Sequence, residues 1–141
     1  MDKPEVSGNV ITIPSDAIFL AAVDDFIYEK FGKKNVGKSD IADFAISVSE
    51  IVNNAITHAS GGDRNKPIAV KIEFIDDEAV ISIKDQGHGF DPHNLPNPVD
   101  KENLLKQVGR GIFIVKSLMT SVDFNISDSG TEVVLKKKIC G

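Results

Sequence analysis

Apolar positions recur along this chain with two different periods, and the switches between them predict the order of elements. Val6 to Ile13 alternates weakly around Val10-Ile11-Thr12-Ile13 and stops at Pro14, which predicts a first strand. After Ser15, a residue suited to capping, Phe19, Ala22, Val23, Phe26 and Ile27 return at spacings of three and four, forming one stripe of a helix that runs to about Phe31. Gly32-Lys33-Lys34-Asn35-Val36-Gly37-Lys38-Ser39 is polar and punctuated by glycine, hence a loop. A longer helix is predicted from Ser39 to about Ser60. It places Ile41, Phe44, Ala45, Val48, Val52, Ala55 and Ala59 on one face and leaves Gly61-Gly62 past its end.

Beyond those glycines the period shortens. Ile68 to Phe74 and Ala79 to Ile83 are β-rich runs separated by Asp76-Asp77-Glu78, the pattern of an antiparallel hairpin. From Asp85 to Gly111 regularity dissolves into Gly, Pro, Asn and His, a length that in a small domain indicates a lid or binding loop. A helix from Gly111 to about Ser121 follows. Val122 to Ser127 and Thr131 to Ile139, joined by Asp128-Ser129-Gly130, then make a second hairpin. Five strands and three main helices with short turns predict an α/β two-layer sandwich: a mixed, mostly antiparallel five-stranded sheet with helices on one face.

Composition narrows the function classes. With 141 residues, 41% of them apolar, one domain over residues 1–141 is expected. Sixteen Lys and Arg against 21 Asp and Glu give a net charge of -5, which argues against nucleic acid as a direct partner. The chain lacks an apolar run of membrane-spanning length, and Met1-Asp2-Lys3-Pro4-Glu5 lacks a signal-peptide core, so no membrane association is expected. The one cysteine, Cys140, excludes an internal disulfide and fits a cytoplasmic location.

Two nucleotide-binding signals compete. Gly32 to Ser39 fits G-x-x-x-x-G-K-S, a phosphate-cradling loop, without a mismatch. That chemistry needs a buried parallel strand before the loop, whereas Asp24 to Phe31 has helical periodicity and four charges. The context predicts a basic helix-to-helix connection with Ser39 as cap. The second signal is dispersed. In Ser49 to His58, a turn of about 100° per residue aligns Glu50, Asn54 and His58 beside the apolar face. Two adjacent asparagines, Asn53 and Asn54, are poor helix formers. An amide oxygen there suits Mg²⁺, and a carboxylate one turn away suits proton acceptance. Asp85-Gln86-Gly87-His88-Gly89 puts a carboxylate where a strand enters a glycine-rich loop, able to accept from an exocyclic amino group. Gly109-Arg110-Gly111 stands just before a helix, whose first amides suit a polyphosphate. Each motif taken alone also fits an ordinary turn, flank or helix start.

Together, Glu50-x-x-x-Asn54-Ala55, Asp85-x-Gly87-x-Gly89, Gly109-x-Gly111 and Gly130-Thr131 resemble the ATP site of the Bergerat-fold superfamily of ATPases and kinases. Within it, Glu50 to His58 and Gly109 to Met119 are most similar to the bacterial anti-sigma factor serine kinases. The resemblance implies that Asn54 coordinates Mg²⁺ on the phosphates of ATP, that Asp85 holds the adenine amino group, and that Thr131 supports the adenine through its hydroxyl. It implies backbone contacts from Gly87, Gly89, Gly109 and Gly111, a mobile lid over Asp91 to Val108, and Glu50 as the general base toward a serine hydroxyl. Arg110 is either within reach of the γ-phosphate or an exposed arginine with no role, and His58 is a helix-end or nucleotide-pocket residue.

The activity so implied is ATP-dependent protein-serine kinase activity in an anti-sigma factor. Such a protein phosphorylates an anti-sigma factor antagonist, sequesters a sigma factor and thereby regulates transcription, acting as a homodimer. Two alternatives stay open: a non-catalytic ATP-binding module that switches partners, and the catalytic module of a two-component histidine kinase. The latter lacks an acceptor-histidine helix pair, since the residues before Glu50 are occupied by a strand and helices. The run Lys136-Lys137-Lys138 reads as a solvated edge that guards against strand pairing.

Overall fold

Where the sequence alternates, the backbone pairs, and it does so in one more strand than the pattern predicts. The computed structural model describes residues 3–59, 65–86, 110–127 and 130–139, with the side chains of 58 and 59 outside that description. Val6 to Ile13 is two strands, β1 (Glu5–Ser7) and β2 (Val10–Ile13), because Gly8 takes φ 60 and turns the chain back on itself. Asn9 secures that turn by donating from Nδ2 to the Ile72 carbonyl at 2.8 Å.

β3 (Ile68–Ile75) and β4 (Glu78–Lys84) form the predicted hairpin, with Asp76 at φ 55 in the turn. β5 (Ser121–Ser127) and β6 (Gly130–Lys138) form the second. The six strands lie in the order β1-β2-β3-β4-β6-β5, and every neighbouring pair is antiparallel, so the sheet is not mixed. After β4 the chain leaves the sheet and returns through β5 at the outside before β6 runs back beside β4.

Register sets the core. Ile11, Val70, Ile83 and Val133 form one row across four strands, and Ile72, Ile81 and Leu135 the next. All seven are buried. Since side chains alternate across a strand, the other face carries Lys71, Ser82, Val134 and Asp123 in a single row. The helices cover only the apolar face: α1 (Leu20–Gly32) buries Val23, Phe26, Ile27 and Phe31, and α2 (Lys38–Asn54) buries Ile41, Phe44, Val48, Ile51 and Val52. Phe31 meets Phe44 edge-on at 5.0 Å and Phe74 at 5.4 Å, joining both helices to β3. A third helix, α3 (110–118), adds Val115 to this core.

The caps differ from those the sequence suggests. Asp16, not Ser15, caps the short turn Ala17–Phe19 by accepting from the Ile18 amide at 3.1 Å. Ser15 is buried and its hydroxyl donates to the Lys66 carbonyl. Gly37, not Ser39, is the N-cap of α2. At the end of α1, Asn35 takes φ 56, and its amide donates to Gly32 O at 3.2 Å while the Val36 amide donates to Phe31 O at 3.2 Å. These two bonds close the helix in a Schellman motif. The amides of Lys33, Lys34, Asn35 and Val36 within the G-x-x-x-x-G-K-S string are therefore spent on a helix C-terminus, whose partial charge repels phosphate. The P-loop reading fails on this geometry.

The lysine run is corrected as well. β6 lies between β4 and β5, so Lys137 guards no edge; it points inward and donates to Asp40 Oδ1 at 2.9 Å and to Asp43 Oδ2, both on the first turns of α2. Burial pushes the Lys137 ammonium down, but its hydrogen bonds to Asp43 and Asp40 outweigh this and hold it above the ordinary value of 10.5. This clamp orients α2. From Asp40 to Asn54 the helix rises roughly 21 Å at ~1.5 Å per residue. From Lys137 back to Thr131, β6 spans roughly 20 Å at ~3.3 Å per residue. The carboxyl end of α2 therefore lies over the end of the sheet where β4 finishes and β6 begins.

Candidate active site

Two sets of predicted residues meet at that end of the sheet. The first sits between α2 and α3. Glu50 and Asn54, one turn apart, are both half-buried, while the neighbouring Asn53 is exposed. Gly111, in the first turn of α3, is buried against them: a Cβ built on it would lie 2.9 Å from Glu50 Oε2 and 3.6 Å from the Asn54 side-chain amide. A side chain at this position would meet the flexible end of Glu50 and turn it aside, so glycine lets the carboxylate stand against the start of α3. A carboxylate, an amide and a positive helix end thus converge, and Arg110, exposed, stands at the rim.

Past Asn54 the helix widens into a π-type turn over Ala55–Ala59. The regular step of α2, on which the alignment of His58 with Glu50 and Asn54 rests, holds through Asn54. The side chain of His58 lies outside the described residues, as do Gly87, Gly89 and Gly109 and the segment Asp91 to Val108.

The second set joins β4 to β6. Asp85, the residue after β4, is 5% exposed, and its Oδ1 accepts from the Thr131 amide at 3.2 Å while its own amide donates to the Thr131 carbonyl at 3.0 Å. The two residues are locked in register with the last rung of the sheet. Thr131 Oγ1 is buried with no hydrogen-bond partner among the described residues. A buried hydroxyl without a partner beside a buried carboxylate is a costly arrangement for a core, and it fits a polar ring bearing an amino group.

Gly130 is the feature that sequence reasoning underused. It takes φ 143, and a Cβ there would fall 2.1 Å from the Asp85 carbonyl oxygen and 3.3 Å from Asp85 Oδ1. The Gly-Thr pair was legible as a motif; that its glycine gives the Asp85 backbone room was not. Ser47 is buried in α2, and its hydroxyl has no partner among the described residues.

The donor set also bears on a metal. Among the described residues no three His, Cys, Asp or Glu side chains gather into a cage. The amide oxygen of Asn54, at a helix end, is a hard donor of the kind Mg²⁺ would take together with phosphate oxygens. The residues present fit a magnesium nucleotide.

A sheet covered on one face, with polar side chains gathered at one end of it, defines a nucleotide-binding ATPase fold, and residues 13–137 match the histidine kinase-like ATPase domain family. The chain belongs to that family. It is similar to the serine-protein kinase RsbW of Staphylococcus aureus, 30% identical over 134 residues that cover 90% of this chain and 84% of that protein, and 31% identical to the RsbW of another strain. In solved structures the fold recurs in the RsbU and RsbW domains of a Mycobacterium tuberculosis protein. That match has a TM-score of 0.68 at 19% identity over 92% of this chain and 31% of that longer one. It also recurs in the histidine kinase domain of an Erythrobacter litoralis blue-light activated kinase, with a TM-score of 0.57 at 17% identity over 89% of this chain and 61% of that one. Among the described residues no helix is long and apolar enough to cross a membrane.

Proposed function

We propose that this chain is an anti-sigma factor with ATP-dependent protein-serine kinase activity, organised as one ATP-binding domain. It transfers phosphate to a serine of an anti-sigma factor antagonist, and it holds a sigma factor in the alternative complex, acting in the cytoplasm as a homodimer. The observation that carries the reading is the convergence of Glu50, Asn54 and Gly111 where α2 meets the start of α3. Similarity to the serine-protein kinase RsbW supports the choice of serine as acceptor.

In this reading Asp85 accepts from the adenine amino group, and Thr131 Oγ1 gains the partner it lacks. The first amides of α3 face the phosphates, with backbone contacts from Gly87, Gly89 and Gly109 and the side chains of Arg110 and His58 nearby. Asn54 holds Mg²⁺, which when bound neutralises phosphate charge. Glu50 accepts the serine proton as the hydroxyl oxygen bonds to the γ-phosphorus and the bond to the β–γ bridging oxygen breaks, releasing ADP. A serine needs such a base, whereas an acceptor histidine is nucleophilic already. Glu50 also lines an open groove of about 610 Å³ between α1 and α2, bordered by the exposed Tyr28 and Ile46, through which a protein substrate can approach.

Glu50→Gln separates the roles. With the parent protein, incubation with Mg-ATP and a candidate antagonist labels a serine of the antagonist, whereas the variant retains ATP binding and loses transfer. Transfer undiminished in Glu50→Gln refutes the base assignment. A stable sigma-factor complex with no transfer to any antagonist identifies a non-catalytic module instead.

A further inference from the structure

The end of the sheet away from the nucleotide site gathers charge of one sign. Phe74 of β3 pairs there with Ala79 of β4, and the chain from Ala79 to Asp85 spans roughly 20 Å at ~3.3 Å per residue. Lys30 in the last turn of α1, Lys33 and Lys34 just after it, and Lys71 of β3 line one open cavity of about 640 Å³. Its size is that of a small-molecule site. Four ammonium groups share it with a single carboxylate, Glu73, in a chain whose net charge is -5.

Lysines near a helix C-terminus commonly serve its free carbonyls. Here the backbone meets that need: the amides of Lys33, Lys34, Asn35 and Val36 donate to the carbonyls of Glu29, Phe31 and Gly32. Carboxylate partners are also few. Lys71 pairs with Glu73 at 2.8 Å, and Lys33 with Glu29 at 3.3 Å in an exposed contact that opens readily. Lys30 and Lys34 lie over the rings of Phe26 and Phe74, each at 5.6 Å, and neither meets a carboxylate among the described residues. Like charges collected around one cavity repel one another, and a bound anion relieves that repulsion.

The wall of the cavity adds a neutral donor. The Ile72 amide donates to Asn9 O at 3.0 Å, and the Ile72 carbonyl accepts from Asn9 Nδ2 at 2.8 Å. Along a strand, alternate residues direct their backbone groups to the same side, so Phe74 turns its amide the same way as Ile72. Pairing with β2 has already ended at Lys71 and Val10, which leaves that amide facing the cavity.

We propose that this cavity is a binding site for a polyphosphate anion, separate from the nucleotide site and independent of the kinase reading. Lysine offers phosphate a compact point charge, and the lining holds no arginine, whose planar fork matches carboxylates. The partial negative charge at the end of α1, about half a unit, is outweighed by four whole charges on side chains that reach past it. The G-x-x-x-x-G-K-S string thus contributes two lysine side chains to an anion site in place of an amide cradle. A free polyphosphate chain and the phosphate tail of a nucleotide both offer this chemistry.

Calorimetric titration of the full chain with sodium tripolyphosphate, without magnesium or nucleotide, tests the site. In the double variant Lys30→Gln/Lys34→Gln an uncharged stem remains over each ring, and affinity should fall by about tenfold or more. Lys84→Gln/Lys136→Gln, which removes two charges from the outer face of the sheet, should leave affinity within about twofold of the parent. Metal-free ATP forms the second arm: a loss shared by ATP and tripolyphosphate in the Lys30/Lys34 variant identifies a nucleotide tail as an accepted ligand, and a loss for tripolyphosphate alone identifies the free chain. Absence of binding to the parent at millimolar tripolyphosphate overturns the proposal, as does unchanged affinity in the Lys30/Lys34 variant. Equal losses in the two double variants would show a diffuse effect of charge and overturn it too. A loss confined to Arg110→Gln would put the anion at the nucleotide site instead.

Discussion

Gly111 and Glu50 touch so closely that the carboxylate oxygen occupies the space a side chain on the glycine would need, 2.9 Å from its ideal Cβ. A side chain at position 111 would turn the flexible end of Glu50 aside. The glycine sets where the carboxylate can stand, and through it where a proton can be accepted.

Gly111→Ala is therefore expected to displace Glu50 without removing it. A displacement of about 1 Å in a reacting group costs on the order of a hundredfold in rate. Transfer kinetics should show kcat falling by tenfold or more while ATP affinity, measured by calorimetry, changes less. Equal losses in both would mean that the glycine serves nucleotide binding and not the carboxylate.

Gly130→Ala should be the more damaging of the two glycine substitutions. Its φ of 143 disfavours any side chain, and the new methyl would meet the Asp85 carbonyl oxygen, which belongs to the backbone and has little freedom to move. A loss of roughly 1–3 kcal/mol from the backbone conformation alone is expected, with the clash adding to it. Thermal denaturation gives the first number, and ATP affinity should fall with it because Asp85 moves.

Asp85→Asn preserves shape and removes charge at a residue whose Oδ1 accepts from the Thr131 amide. ATP affinity should drop by roughly tenfold or more, as expected when a charge-assisted hydrogen bond is lost. Lys38→Ala is the matched control: Lys38 opens α2 at the far end from Asp85, and its substitution should leave affinity unchanged. Loss of ATP binding in Lys38→Ala would restore the P-loop reading.

Lys137 links stability to alkaline pH. Its folded pKa is raised, so the folded state holds this proton more tightly than the unfolded chain. The contribution is complete below about 10.5, the unfolded value, and is lost as pH rises through the higher folded value. Lys137→Met removes the cation that joins Asp40 and Asp43 and should cost about 1–3 kcal/mol at neutral pH. Chemical denaturation at pH 7 and above pH 10 checks both: the gap between parent and variant should narrow in alkali.

Much of the fold could be read in the chain because burial on one face imposes a period. The alternation in β3, β4 and β6 and the three-and-four spacing in α1 and α2 each report a single covered surface; those strands stand within one residue of where the sequence places them, whereas α1 begins only at Leu20 and α2 ends at Asn54, short of Ser60. β1 was hidden inside the first strand. Its three residues are all exposed, so no burial pattern marks it, and one glycine at φ 60 divides it from β2. The lysine run misled for a related reason: a charge beside a strand end looks solvated until α2 supplies two carboxylates from 94 and 97 residues away.

The sequence by itself determined the element types, the apolar face of each, and the identity of the chemical groups: Glu50, Asn54, Asp85 and Thr131 each stand in a motif legible along the chain, and Asn54 is a helix residue that propensity disfavours. Tertiary structure alone decided which groups meet. The Lys137 clamp sets the direction of α2, strand crossing brings Thr131 beside Asp85 across 46 residues, and Gly130 admits a backbone contact that a side chain would block. Local sequence encodes periodicity because neighbours along an element share one surface. It leaves unspecified the distances between elements, which follow from packing a particular set of side chains into one volume.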